Sequence, residues 1–328
     1  MIIGMVGAAI IMIVNGINTA LGLNSMHYAF SVAIISMMLI SAVLSLLGIA
    51  LIKERHIPET TKEDKVKVTD IFGMIKTNGA LRIRLADMLF TGFIWNFLFA
   101  TATYYAKWAY CTDLTTGAVD TAKLGTFTMV SSLLMFFPLI IGTLVASPIM
   151  KAIGSPIRFH RILILLEFVP GGILFVLQMV GLLQSLPAVY LLCMGVCACA
   201  IGMDYIPGEV INIEAMDYEI YKNGKDRSAL CNAANKFLGK AQSAVASGLV
   251  GVILVAVGYE VDSATDTFLG ELSSIPVMLD WFIVIMGLIP FFLGLVGWLV
   301  LKRYPITDEI RADMHEKLSG TSHAAGNT

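Results

Sequence analysis

The side chains best placed to do chemistry are the ionisable and amide groups set inside long apolar runs. A charge at bilayer depth is costly, so it normally faces a partner or a water-filled cavity. Lys240 stands early in the run KFLGKAQSAVASGLVG. With a helix starting near Asn232 it lies two turns in, roughly 12 Å along the axis. It can snorkel back to the headgroups or face a cavity, and elementary physics leaves both open. Lys236, one turn earlier on the same face, reads as interfacial. Glu167, in RILILLEFVPGG, is a short carboxylate that snorkels poorly. It is expected either to pair with an Arg or Lys or to face a cavity.

A third apolar run carries Trp95, Asn96, Tyr104, Tyr105, Lys107 and Trp108. Flat aromatic faces beside hydrogen-bonding groups suit a sugar, and they also suit an interfacial aromatic belt. Asn96, near mid-span, is the stronger cavity candidate. Asn235, Tyr104, Tyr105, Trp108 and Glu167 complete the candidate cavity lining. Asp204, Glu209, Glu214, Asp217 and Glu219 gather beside Lys222, Lys225 and Arg227. They form either a solvated loop or a gate of salt bridges, with Asp204, Glu209, Asp217 and Arg227 as the candidate gate. Cys193, Cys197 and Cys199 lack the paired spacing of a zinc site and read as small apolar packing residues. No P-loop, HExxH, nucleophile elbow or dinucleotide fingerprint occurs. Neither an enzyme nor a metal or organic cofactor is expected.

The elements that must hold these groups are helices in a membrane. Hydrophobic residues make up 57% of the chain and charged residues 14%, against about 25% charged in ordinary soluble domains. The mean hydropathy is +0.80. A net charge of −2 gives no footprint for nucleic acid. A helix crossing a bilayer needs about 20 apolar residues, and eight stretches qualify: approximately 1–23, 28–52, 88–110, 124–150, 162–184, 186–204, 237–258 and 279–301. Such solid runs exclude the weak alternation of a membrane β-barrel. The fold class is therefore an all-α membrane protein with about eight transmembrane helices. The apolar opening MIIGMVGAAI has no basic residue ahead of it. It is not a signal peptide and reads as a span whose upstream sequence is absent.

The loops test the count. Of 22 Lys and Arg, 20 fall in alternate connections and only Lys107 and Lys123 on the other side. The positive-inside rule puts the basic side and both termini in the cytoplasm. The chain then divides into two helices at 1–52, a cytoplasmic loop at 53–86, six helices at 87–303, and a tail at 304–328. Such a loop joins the six-helix halves of many secondary transporters. In the tail, Pro305 stops the last span and Thr307 can cap a short helix. Ile310, Met314 and Leu318 give that helix one apolar face.

The segment from Asp217-Tyr218, through the basic stretch Lys222 to Arg227, to Gly258-Tyr259 resembles the glycoside–pentoside–hexuronide:cation symporters, the melibiose permease family. The tail YPITDEIRADMHEKL and the stretch DIFGMIKTNGALRIRLADMLF are similar to the same family's ending and to its entry into helix 7. The resemblance implies a major facilitator-type helical bundle, of which this chain would be helices 5 to 12, N-terminally incomplete. It implies sugar or glycoside transport coupled to Na⁺ or H⁺ by a plasma-membrane carrier that is monomeric when complete. The partners are then a small sugar, a monovalent cation and the bilayer. The family's cation site lies mostly in helices this sequence does not contain, so coupled transport by these residues alone is not expected. One functional lysine carries over, to Lys240. A facilitator-fold carrier for a lipid, nucleoside or drug, or a membrane scaffold, are the alternatives.

Overall fold

The computed structural model describes residues 14, 17, 21–22, 26–51, 70–224, 226–262 and 267–325. The span expected at 1–23 lies almost wholly outside the described residues, as do residues 52–69 and Lys225. The chain divides into two units, Met1–Lys65 and Val66–Thr328. In the first, helix α1 (Met26–Leu51) exposes Met38, Leu39, Ile49 and most of its other large apolar side chains. Lipid, not water, suits such a surface. Val14, Ala29 and Ala33 form a small buried cluster within this unit.

The second unit begins with the short helix α2 (Asp70–Thr77) and then six long helices: α3 (Gly79–Tyr110), α4 (Thr121–Ile153), α5 (Pro156–Met179), α6 (Pro187–Asn223), α7 (Ser228–Ala256) and α8 (Ser274–Arg303). A final helix, α9, runs from Asp308 to Ala325. With α1, seven described helices are long and apolar enough to cross a membrane, corresponding to the seven hydropathy runs from 28–52 to 279–301. The helices start and stop where the sequence punctuates them. The Asn78 side chain accepts from Leu81 N at 2.9 Å and opens α3, and Asp120 does the same for α4 through Lys123 N. Pro156 and Pro187 occupy first-turn positions, where a missing N–H costs nothing. Gly154, at φ 75°, closes α4 in the left-handed conformation that glycine adopts without strain.

Several helices run past the apolar windows. The stretch 53–86 is not loop throughout, because α2 and the first two turns of α3 lie inside it. The sixth span, expected at 186–204, continues to Asn223 as one helix of 37 residues, about 55 Å long. The acidic cluster from Glu209 to Glu219 is therefore helical, not a solvated loop, and Glu214 and Glu219 are buried in it. An apolar window ends where charges begin, but a helix continues while one face stays apolar. Ile211, Ala215 and Tyr218 supply that face.

In lipid no hydrophobic force presses helix on helix, so close packing depends on small residues. At Gly202 a Cβ would stand 2.0 Å from the Leu139 carbonyl oxygen, and at Gly142 2.3 Å from that of Cys199. The α4 and α6 backbones thus meet with nothing between them. Thr143 Oγ1 donates across the same seam to Gly202 O at 2.9 Å. Helix α8 carries a π segment at Val284–Leu288, where Gly287 packs on Gly171 of α5. The extra residue in a π turn re-aims the helix there. At the acidic end Phe268 N donates to Gly117 O at 3.0 Å, tying the α3–α4 and α7–α8 connections together.

At the basic end α9 lies against α6. Arg311 bonds Glu214 (Nε to Oε1 2.5 Å) and Asp308 (2.6 Å). Met314 and Ile310 join the apolar cluster that includes Leu81, Ala215 and Tyr218, so the tail's apolar face, open to membrane or bundle by sequence, packs on the bundle. Tyr221 and Lys317 both donate to Asp313 and hold its carboxyl below the ordinary range. Their contribution is present above the unfolded carboxylate range and disappears only as pH falls through the lowered value, so the Asp313 contacts should contribute equally at pH 5 and pH 7. Arg311→Ala should loosen α9 by roughly 1 kcal/mol, the scale of a partly exposed ion pair. Amide exchange across Asp308–Leu318 would then rise about fivefold. Unchanged exchange would assign the docking to the apolar face alone.

Candidate functional site

Four helix turns converge at the basic end of the second unit and bury a cluster of charge. On α3, Arg84 and Asp87 stand three residues apart and therefore on one face. Arg84 Nη1 donates to Asp87 Oδ2 at 2.5 Å, and its Nε donates to Asn212 Oδ1 on α6 at 2.8 Å. Its third arm reaches Gly208 O at 3.4 Å. A Cβ on Gly208 would lie 3.2 Å from that Nη2, so the missing side chain makes room for the fork. His160 of α5 completes the cluster. Its Nε2 lies 2.9 Å from Asp87 Oδ2, and its Nδ1 is hydrogen-bonded to Asp204 Oδ1 on α6. Asp87 is fully buried, His160 is 1% exposed and Arg84 7%.

This cluster borders a cavity of about 200 Å³ lined by Arg84, Trp95, Glu167, Asp204, Glu209 and Gln242, among others. Gln242 enters from α7 and donates to Met88 O at 2.6 Å and Leu89 O at 3.1 Å. It fills the space over Gly92, whose Cβ would collide with it. Glu167 faces the cavity, and among the described residues no Lys or Arg stands within salt-bridge distance of it.

The other expected site residues are dispersed. Lys240 is exposed on α7 and is not among the residues lining this cavity. Asn96 is half-buried and donates to Gly92 O one turn back. Tyr105 and Trp108 are fully buried and do not line the cavity. Tyr105 donates to Gln178 at 2.7 Å and stacks on Tyr190, while Trp108 packs edgewise on Tyr259 and Phe268. Tyr104 lies beside Tyr259 and Phe282. Aromatics of this kind at the acidic end are packing residues. Asn235 is buried on α7, and its Oδ1 has no hydrogen-bond partner among the described residues.

Of the candidate gate, Asp204 joins the buried cluster and Glu209 stands exposed at the cavity. Arg227 lies 3.5 Å from Glu219, elsewhere on α6, and Asp217 is half-buried. Asp204 and Glu209 thus share the cavity, and Arg227 pairs away from it. Sequence reading missed Arg84, Asp87 and His160 altogether.

A polytopic helical bundle that keeps an arginine, a histidine and an aspartate buried, with a second aspartate reaching a polar cavity, has the makeup of a membrane transport protein, not of a passive anchor. The chain matches the family model for MFS/sugar transport proteins over residues 1–308, and it belongs to that family. Its fold is accordingly a major facilitator-type helical bundle. No curated protein matches the sequence.

Proposed function

We propose that the protein is a secondary active transporter that carries a sugar or glycoside together with a cation, Na⁺ or H⁺, by alternating access. The observation carrying this reading is the charged cluster of Arg84, Asp87, His160 and Asp204 bordering the cavity. Burying ions beside lipid gains little stability over apolar residues of the same size, and ions kept at membrane depth mark substrate and ion paths. The cavity also sets the indole of Trp95 among the carboxylates of Glu167 and Glu209 and the amide of Gln242. That combination can stack on a sugar ring while bonding its hydroxyls.

On this reading the carrier sits in the plasma membrane as a monomer, with its basic end and both termini in the cytoplasm. Lys240 is the coupling residue that the resemblance to the melibiose permease family implies. Glu209, Asp217 and Arg227 serve a cytoplasmic gate with Asp204. Lys240→Val should lower cation-driven uptake at least tenfold, since a lost charge balance is worth over about 1.4 kcal/mol. Uptake with an unchanged response to the cation gradient would remove that role.

The test of the function is counterflow in vesicles bearing the product of the native reading frame, with radiolabelled glucose, xylose, maltose, lactose and melibiose as probes. Exchange of at least one of them above empty vesicles is expected. Exchange of nucleosides or lipids with no response to any of the five sugars would overturn the sugar reading.

A further inference from the structure

The ring of His160 is held at both nitrogens by carboxylates on different helices: Asp87 of α3 at Nε2 and Asp204 of α6 at Nδ1. An ionised carboxylate only accepts, and a neutral imidazole has one donor nitrogen and one acceptor nitrogen. A neutral ring protonated at Nε2 would aim its Nδ1 lone pair at Asp204 Oδ1, and one protonated at Nδ1 would turn its Nε2 lone pair to Asp87 Oδ2 at 2.9 Å and to Arg84 Nη1 at 3.2 Å. With one more proton each ring nitrogen donates to a carboxylate, Nδ1 to Asp204 and Nε2 to the Asp87 oxygen that Arg84 also bonds. The charges agree with this count. Arg84 and a doubly protonated His160 balance Asp87 and Asp204, whereas a neutral ring leaves the buried cluster with an uncompensated negative charge.

A second observation concerns Asp87. Its Oδ2 takes hydrogen bonds from Arg84 and His160, while its buried Oδ1 has no partner among the described residues. The ionised form of a fully buried side chain thus depends on two cations, one of which can lose its charge. The groups bearing on His160 are Arg84 and Asp87 from α3, Asp204 from α6, and Glu167 two turns along α5. Arg161 of α5 and Lys302 of α8 are engaged by the face of Trp298.

The cluster also has a way out. Asp204 is 20% exposed and lines the cavity together with Glu167 and Tyr205, whereas His160 does not. We propose that Asp87, His160 and Asp204 form a proton-binding site, and that the proton it holds is the one exchanged with sugar transport. Release breaks the Nδ1–H bond as Asp204 Oδ1 takes the proton and passes it to water in the cavity. The ring keeps its Nε2–H toward Asp87. Loading is the reverse, so each cycle moves one proton and returns the cluster to balance. The coupling part of this inference rests on the transport reading, and the proton site itself does not.

Two measurements separate them. The chain holds five histidines, so ¹⁵N-histidine labelling in lipid bilayers, with the His160→Gln spectrum subtracted, isolates the His160 ring. At pH 7.5 it should show two protonated nitrogens, and Asp204→Asn should convert it largely to a neutral ring. A neutral ring in the parent protein overturns the site. The second arm uses the five sugars above and a pH dye inside vesicles to count protons per sugar moved. The ratio should be about one in the parent protein and fall at least fivefold in His160→Gln and in Asp204→Asn. An unchanged ratio in either variant, or a sugar flux that follows a sodium gradient without proton movement, overturns the coupling. If no sugar moves in the parent protein, the transport reading fails while the spectrum still decides the proton site.

Discussion

Replacing Arg84 by alanine should destabilise the second unit more than any other single charge removal, by roughly 3–5 kcal/mol. The guanidinium spans two helices: it bonds Asp87 on its own helix and Asn212 and Gly208 on α6. Without it Asp87, fully buried, keeps only the bond from His160. The cost then comes less from a lost attraction than from a charge left in a place that cannot solvate it. Two further substitutions separate these terms. Arg84→Lys keeps the charge but not the planar fork, so it should restore the Asp87 pair and still lose Asn212. Arg84→Met combined with Asp87→Asn removes both charges and should be markedly more stable than Arg84→Met alone. Thermal unfolding in detergent reads all of these. Arg84→Ala melting within about 2 °C of the parent protein would mean that water or lipid headgroups already compensate Asp87.

That cluster shows which parts of the site were legible. Glu167 was, because a carboxylate in RILILLEFVPGG interrupts an otherwise apolar run and hydropathy isolates it. Arg84, Asp87 and His160 each sit at the margin of a run, beside residues that do belong to polar connections. A window that scores apolar length assigns such margins to the loop. A local signal was nevertheless present. Arg84 and Asp87 at i and i+3 share a helical face with Leu81, Met88 and Thr91, and a helix beginning at the Asn78 cap would have carried both into the bundle. For His160 no such signal exists, since its two partners come from α3 and α6 and sequence spacing carries no information about either.

The aromatics failed in the opposite direction. Tyr104, Tyr105 and Trp108 have the chemistry of a sugar platform, and residue type alone cannot separate that use from packing. What decides is the neighbour: Tyr190 comes from α6, Tyr259 and Phe268 from the α7–α8 connection, and they pack on those rings. The order of the seven described spans, by contrast, follows from a property each segment carries by itself, the need to satisfy its backbone inside lipid. Local requirements were readable and pairings between helices were not.

The pairing of α4 with α6 leads to the second large effect. Gly202→Val should prevent these helices from closing. The valine Cβ would stand 2.0 Å from Leu139 O and 2.7 Å from Leu139 C, and neither atom belongs to a side chain that could rotate away. The seam is close because both helices supply glycine to it, Gly142 against Cys199 and Gly202 against Leu139. Further along the seam, Pro138 has no N–H to offer Leu134 O, and Gly195 packs against that carbonyl. Moving α6 outward by the width of a methyl would also break the Thr143 bond to Gly202 O. Overpacking usually costs about 1–3 kcal/mol, and a backbone obstacle with no flexible neighbour belongs at or above the upper end. Gly202→Val is therefore expected to leave little folded protein in the membrane, read as the monodisperse fraction on size exclusion. Gly248→Ala on α7, where a Cβ meets nothing within 4 Å, is the matched control and should fold as well as the parent protein. Normal recovery of Gly202→Val would mean that α4 and α6 do not meet backbone to backbone.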